Sequence, residues 1–284
     1  MIANKFDYTA PATLAEALAL IEQGGKPLAG GMSLVPMMKL RLAIPEHVVD
    51  LTRIPALNEI RQDGDRIHIG ALATHYEIES SALIRAKCPL LNYAASAIGD
   101  VQVRNMGTIG GSTAHADPAA DYPASLFALE AEFQLASKGG ERTVGVEDFF
   151  VDTFLTALEP GELIKEIVVP AEASDTGVAY EKMAHPASGY AVVGIAARIR
   201  MKDGKVTLAR IGVTGVAGKA FRAKGAEDVL TGSAGDEAAI RAAAAKIGEG
   251  EEANSDLFAS AAFRKHLAQV YGARALRAAV ARAS

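Results

Sequence analysis

Cysteine is almost absent from this chain. A single one, Cys88, occurs in 284 residues, which excludes an intrachain disulfide and any multi-cysteine zinc or iron–sulfur site, because a cluster needs about four thiolates. A lone buried thiol is the expectation. Tryptophan is absent and aromatics make up only 6% of a chain that is 50% hydrophobic, so the cores must be built from Ala, Val, Leu and Ile. That composition suits α/β packing. Basic excess is missing too: 29 Lys+Arg stand against 34 Asp+Glu, a net charge of −5, which offers no cationic field to a polyphosphate backbone. Nucleic acid is not an expected partner. No apolar stretch approaches the ~20 residues that span a bilayer, and Met1-Ile2-Ala3-Asn4-Lys5-Phe6-Asp7-Tyr8 lacks a basic region followed by an apolar run. A soluble, cytoplasmic protein is expected, with the inner face of the membrane as the one alternative location.

What is present is a chain long enough for two or three small cores. Leu14, Ala17, Leu18 and Ile21 recur at helical spacing behind Thr13, an N-cap three residues before Glu16, and Gly24-Gly25 ends the helix. Pro27-Leu28-Ala29, Val48 to Leu51 and Arg66 to Gly70 read as strands, the last after an Asp63-Gly64 turn. An α/β arrangement follows. Tyr76 to Ile98 is helical in character with an interruption near Pro89, Pro118 to Ala128 begins another helix, and Glu132 to Ala136 and Leu163 to Val169 read as strands. The small, polar run 171–177 marks a boundary. Beyond it, Val192 to Met201 and Lys205 to Val213 flank Asp203-Gly204, a type I′ hairpin signal that implies an antiparallel sheet. Alanine-rich helices follow over Asp236 to Ile247 and Ser260 to Ala281.

Two glycine-rich segments carry the chemistry. In Ala29-Gly30-Gly31-Met32-Ser33 the glycines let the backbone approach a phosphate with no Cβ in the way, and Ser33 adds a hydroxyl donor. Thr108-Ile109-Gly110-Gly111-Ser112 repeats the device. Taken alone, each Gly-Gly is first a turn and only second a phosphate cradle; the pair weighs more than either member. Neither segment is G-x-G-x-x-G and no G-x-x-x-x-G-K-[ST] occurs, so a dinucleotide fold other than Rossmann must carry the argument.

The flanks make the segments specific. Pro27-Leu28-Ala29-Gly30-Gly31-Met32-Ser33-Leu34-Val35-Pro36-Met37-Met38-Lys39-Leu40-Arg41, with Gly107-Thr108-Ile109-Gly110-Gly111-Ser112-Thr113-Ala114-His115-Ala116-Asp117-Pro118-Ala119-Ala120-Asp121-Tyr122-Pro123-Ala124, closely resembles the FAD-binding medium subunit of molybdenum hydroxylases. The likeness is strongest to the carbon monoxide dehydrogenase branch and its xanthine dehydrogenase-type relatives, and it runs over essentially the whole length. It implies an α+β protein: a two-lobed FAD-binding domain of the vanillyl-alcohol-oxidase (PCMH) type over residues 1–176, with lobes of about 1–55 and 56–176. A small C-terminal domain over 177–284, with an antiparallel sheet and helices, completes it. FAD would be bound non-covalently, with the molybdenum cofactor on a large partner subunit and [2Fe–2S] clusters on a small one, in a dimer of heterotrimers. Electrons would leave for NAD, a quinone or another acceptor.

Carried over position by position, the resemblance assigns Pro27, Leu28, Ala29, Gly30, Gly31, Met32, Ser33 and Leu34 to one pyrophosphate loop. Thr108, Ile109, Gly110, Gly111 and Ser112 form the other. Asp121 matches an acidic residue used on the cofactor, Ile98 and Ile164 match apolar contacts, Lys182 matches a lysine near the flavin, and Tyr190 resembles the aromatic that covers one isoalloxazine face. A carboxylate accepts hydrogen bonds from ribityl or ribose hydroxyls, and a cation near the N1/C2 edge stabilises the anionic reduced flavin. Beside these roles stand structural ones: Lys182 as a solvated surface lysine, Tyr190 as hairpin packing, and Asp121 as a helix N-terminal charge.

His115, Asp117 and Asp121 form no convincing metal site, since Pro118 breaks the helical spacing, and nothing places Asp117 and Asp121 on opposite sides of a substrate. Ser33 lies in no G-x-S-x-G elbow. No catalytic residue or metal is assigned to this chain. Met32 stands where some carbon monoxide dehydrogenase medium chains carry another residue, so carbon monoxide, aldehydes, purines and N-heterocycles all stay open as substrates of the complex. Two other functions compete with the relay: a scaffold or assembly protein that keeps the fold without cofactor, and a free-standing flavin oxidase.

Overall fold

The computed structural model describes residues 2–283. The chain opens with a small parallel sheet, β1 (Asp7–Thr9), β2 (Lys26–Leu28) and β3 (His47–Asp50), in the order β1-β3-β2. The helix Leu14–Glu22 crosses from β1 to β2, and Leu34–Lys39 follows β2. Thr13 caps the first helix with a full capping box: its hydroxyl accepts from Glu16 N, and the Glu16 carboxylate accepts from Thr13 N. Ala17, Leu18 and Ile21 turn inward on Val49, Leu51, Ile54 and Leu57. This lobe places β2 so that its C-terminal end runs directly into the first glycine pair.

The second sheet is antiparallel, which makes the architecture α+β rather than α/β throughout. Its strands are β4 (Ile60–Asp63), β5 (Arg66–Gly70), β6 (Glu132–Ser137), β7 (Gly140–Gly145) and, after the hairpin β8 (Phe150–Asp152) and β9 (Leu155–Thr156), β10 (Leu163–Pro170). The order β4-β5-β10-β6-β7 inserts the last strand into the middle. Gly64-Asp65, one residue later than expected, is the two-residue turn, because Asp63 still pairs with Arg66. The helical stretch from Tyr76 breaks twice, into His75–Ser80, Ala82–Lys87 and Pro89–Ser96. Ser81 causes the first break: its hydroxyl accepts from Ile84 N and starts a new helix. Helices Val101–Met106, Ile109–His115 and Asp121–Ala128 complete this layer.

The third sheet, β11 (Thr176–Ala184), β12 (Ala191–Lys202), β13 (Lys205–Thr214) and β14 (Phe221–Arg222), is antiparallel in chain order. Asp203 and Gly204 both have positive φ, 49° and 71°, as a type I′ turn requires. The sheet is buried on both faces, which explains the unbroken apolar run Ala191 to Ala197. Ile195, Ala197 and Ile199 pack towards the helix Ala261–Ala283, whereas Val178, Tyr180 and Ala196 face the central core. On that inner face the helix Asp121–Ala128 lies so close that a Cβ on Gly212 would meet the Ala124 carbonyl oxygen at 1.8 Å. The segment 171–175 is pinned at its start: the buried Glu172 side chain pairs with Arg198 at 2.7 Å, and the Glu172 N–H donates to Lys87 O at 2.7 Å. Cys88 is fully buried, and burial pushes its thiol up to about 12. Among the described residues no helix is long and apolar enough to cross a membrane.

Candidate functional site

The two glycine segments meet. Leaving β2 at Leu28, the chain turns through Gly31 at φ +73° into the short helix Leu34–Lys39. Gly30 presses on the second segment: a Cβ there would lie 1.7 Å from the Met106 carbonyl oxygen and 2.8 Å from Gly107 Cα. No acceptor for the N–H groups of Gly30, Gly31, Met32, Ser33 and Leu34 is found among the described residues. The Ser33 hydroxyl caps no helix N–H. Five successive backbone donors, on half-buried residues apart from the exposed Met32, are thus left without a protein partner beside a close backbone approach.

The second segment is built differently. Thr108 caps the helix Ile109–His115 by accepting from Gly111 N at 3.0 Å. Ile109 N donates to Ala73 O, Gly110 N to Ala71 O and Ser112 N to Thr108 O. Its backbone donors are therefore engaged, and it does not repeat the open cradle of Gly30 and Gly31. Gly110 serves packing instead, since a Cβ there would sit 2.5 Å from Ala71 Cβ. Ile109 is core. Gly111 faces the first loop, its would-be Cβ 3.6 Å from Ala29 Cβ, and Ser112 is half-buried with a free hydroxyl among the described residues.

Beside this junction lies a buried charged cluster that joins the helical layer of the second sheet to the third sheet. Asp121, 5% exposed, begins the helix Asp121–Ala128, and the Lys182 Nζ lies 2.8 Å from its Oδ1 and 2.9 Å from its Oδ2. Lys182 Nζ donates to Oδ2 and, on its other side, to Ala97 O at 2.9 Å. Lys182 is thus neither a solvated surface lysine nor a free donor. The Tyr180 hydroxyl donates to Asp121 Oδ1 at 2.6 Å. Burial raises the Asp121 pKa, against the opposing pull of Lys182 and Tyr180.

The lysine bond to Ala97 holds the turn that carries Ile98, which is half-buried, and Gly99. The Ser188-Gly189-Tyr190 loop lies over this turn, a Cβ on Gly189 falling 3.7 Å from Gly99 Cα. Tyr190 is 42% exposed rather than core packing, and burial, then the nearby Asp117 and Asp121 carboxylates, raise its pKa. Ile164 stands apart from this assembly. It is 5% exposed in the central core on β10, opposite Leu135.

Two further residues belong to the site without having been singled out in the sequence. Tyr180 shares a strand face with Lys182 at the two-residue spacing of β structure, the one signal that could have found it. His75 packs under the second segment: its N–H donates to Gly107 O at 2.9 Å, and its ring lies within 3.2 Å of the Tyr122 hydroxyl. Burial, then the charge of Arg104, lowers its pKa from 6.5 to about 4. Below pH 6.5 the unfolded chain binds a proton that the folded chain refuses, so stability falls as pH drops towards 4. The loss should total about 3 kcal/mol. Urea unfolding at pH 7 and 4.5 should show that His75→Gln loses this part of the acid sensitivity; equal acid slopes in the variant and the unmodified chain would contradict it.

Residues 4–172 match the family model described as the FAD binding domain in molybdopterin dehydrogenase, and residues 178–279 match the CO dehydrogenase flavoprotein C-terminal domain. The chain is 45% identical to the carbon monoxide dehydrogenase medium chain of Hydrogenophaga pseudoflava, with 99% of each chain covered. It is 36% identical to the glyceraldehyde dehydrogenase medium chain of Sulfolobus acidocaldarius over 98% of this chain and 99% of that one. A solved carbon monoxide dehydrogenase from Hydrogenophaga pseudoflava superimposes with a TM-score of 0.97 at 44% identity, covering 100% of both chains. Quinoline 2-oxidoreductase from Pseudomonas putida 86 gives 0.95 at 33% identity, over 100% of this chain and 99% of that one. With its full length matched and both glycine loops in place, the chain belongs to the FAD-binding subunits of the molybdenum hydroxylases, the carbon monoxide dehydrogenase and xanthine dehydrogenase family.

Proposed function

We propose that FAD binds at the junction of the two glycine segments and that the chain relays electrons from iron–sulfur clusters of a small partner subunit to an external acceptor. The observation that carries the reading is the run of unpaired N–H groups from Gly30 to Leu34 beside the close approach of Gly30 to Met106. A pyrophosphate brings about two negative charges and acceptor oxygens, which is what such a donor set fits. The Ser33 and Ser112 hydroxyls add donors. Gly111 and Ala29 form the wall that keeps the loops together, and Thr108 fixes the second loop by capping its helix. Asp121 keeps lone pairs for cofactor hydroxyls, while Lys182 holds both that carboxylate and the turn at Ile98. Tyr190, half-exposed beside the turn at Gly99, would cover a ring face. When bound, FAD supplies an electron store that can be filled by a one-electron donor and emptied by a two-electron acceptor.

Residues 1–176 and 177–284 act as the two units of this reading, with the large molybdenum subunit and the small iron–sulfur subunit completing a dimer of heterotrimers in the cytoplasm. Substrate turnover belongs to the large subunit, and NAD or a quinone takes the electrons. Reconstitution of the full chain with FAD tests the reading. Absorbance near ~450 nm that is released on denaturation is expected of a non-covalent flavin. Colourless protein that takes up no FAD would leave the scaffold function, and flavin bleached by a substrate on the isolated chain would make it a free-standing oxidase.

A further inference from the structure

The geometry points to Tyr180 as a positioning residue for the cofactor site: its hydroxyl holds the Asp121 carboxylate against Lys182 in one orientation, ionised and with a lone pair left for FAD. This rests on the FAD reading above. An ionised carboxylate offers about four lone-pair sites. Tyr180 takes one on Oδ1 and Lys182 one on Oδ2, with the Lys182 ammonium also in ion-pair contact with Oδ1, which leaves a site on Oδ2. Without the hydroxyl, the carboxylate is held only by a flexible lysine that is itself tied to Ala97 O.

The fold makes room for this hydroxyl. Gly194 sits opposite Lys182 in the β11/β12 register. A Cβ there would lie 2.5 Å from the Tyr180 Oη, 3.2 Å from its Cζ and 2.8 Å from Thr214 Cγ2. The strand is thus empty where the hydroxyl passes. The groups facing Asp121 are Lys182 and Tyr180 from β11, Tyr122 next to it on its own helix, and Tyr190 from the overlying loop, with Asp117 beside Tyr190. Burial raises the Tyr180 and Tyr122 hydroxyls well above their ordinary value, so both stay protonated, and Tyr180 acts only as a donor. A hydrogen bond to the charged form of a carboxyl favours that form, so its removal lets Asp121 take a proton at higher pH.

The experiment uses the full-length chain, with FAD binding followed by flavin fluorescence between pH 5 and 8 and thermal melts alongside. Tyr180→Phe is expected to weaken FAD binding about tenfold at pH 7, the value of one hydrogen bond to a charged group. The acid-side midpoint of binding should rise by about one pH unit. Gly194→Ala should reproduce both effects by displacing the hydroxyl. The double variant should show no further rise of the acid-side midpoint over Tyr180→Phe alone, because the hydroxyl through which that shift acts is already gone. Unchanged affinity and pH profile in Tyr180→Phe overturn the inference, as does a pH-independent weakening that merely follows a lower melting temperature. If the unmodified chain takes up no FAD, the cofactor reading itself fails, and the role of Tyr180 falls with it.

Discussion

Replacing Gly30 with valine is expected to leave a folded protein that no longer retains FAD. The reason lies in what faces Gly30. A Cβ at this position would sit 1.7 Å from the Met106 carbonyl oxygen and 2.5 Å from its carbon, so the obstacle is backbone and has no rotamer by which to withdraw. The two segments must part by about an ångström, and donors aimed at a pyrophosphate lose their geometry over such a distance. Losing two charge-assisted hydrogen bonds at about 1.5–3 kcal/mol each lowers affinity by about a hundredfold or more. The fold should survive, because the first loop, which can give way, is half-buried and lies outside the sheets. Gly225→Ala serves as the control: nothing lies within 4 Å of its would-be Cβ, and it sits in the helix Lys224–Leu230. It should bind FAD like the unmodified chain and gain up to about 1 kcal/mol of stability from helix propensity. Titration with FAD by fluorescence reads the comparison. Retention of FAD by Gly30→Val at undiminished affinity would remove the first loop from the cofactor site.

The contrast between the two glycine pairs also shows where sequence reading reached and where it stopped. Local signals were legible. Thr13 with Glu16 announces its capping box, and Asp203-Gly204 announces its turn, because the partners lie within three residues of each other. The long flanks of the glycine pairs identified the family. What separates Gly30 from Gly110, however, is the backbone opposite each, Met106 in one case and Ala71 in the other. No spacing rule carries that. The same holds for Lys182, which reads as a surface lysine because charged side chains are almost never fully buried unless paired. Its partner Asp121 lies 61 residues away and its carbonyl acceptor 85. The insertion of β10 between β5 and β6 is likewise a long-range pairing, and it turned an expected α/β arrangement into an antiparallel sheet. Ser81 was legible in principle as an N-cap, but the alanine-rich run around it masked the break.

Lys182→Met is expected to cost about 3–5 kcal/mol of stability at pH 8, because it strands a buried carboxylate. Asp121 would keep only the Tyr180 hydroxyl as a donor among the side chains now around it. Burial already raises the Asp121 pKa with Lys182 present, and loss of the cation raises it further. The sign of the pH dependence follows. A carboxyl whose folded pKa exceeds its unfolded value of ~3.9 binds more protons in the folded chain at intermediate pH, so the stability of the variant falls as pH rises between the two values. The deficit should therefore be smallest near pH 5 and complete at pH 8, as urea unfolding at the two pH values will measure. Asp121→Asn combined with Lys182→Met should recover most of the lost stability, since neither charge remains to be desolvated. It should not recover FAD binding, because the carboxylate proposed to accept from the cofactor is gone. That dissociation separates the two duties of the pair. If the single variant matches the unmodified chain at pH 8, or its deficit grows on acidification, Asp121 and Lys182 are not a buried ion pair, and the joint they make between the helix Asp121–Ala128 and β11 must be held by packing alone.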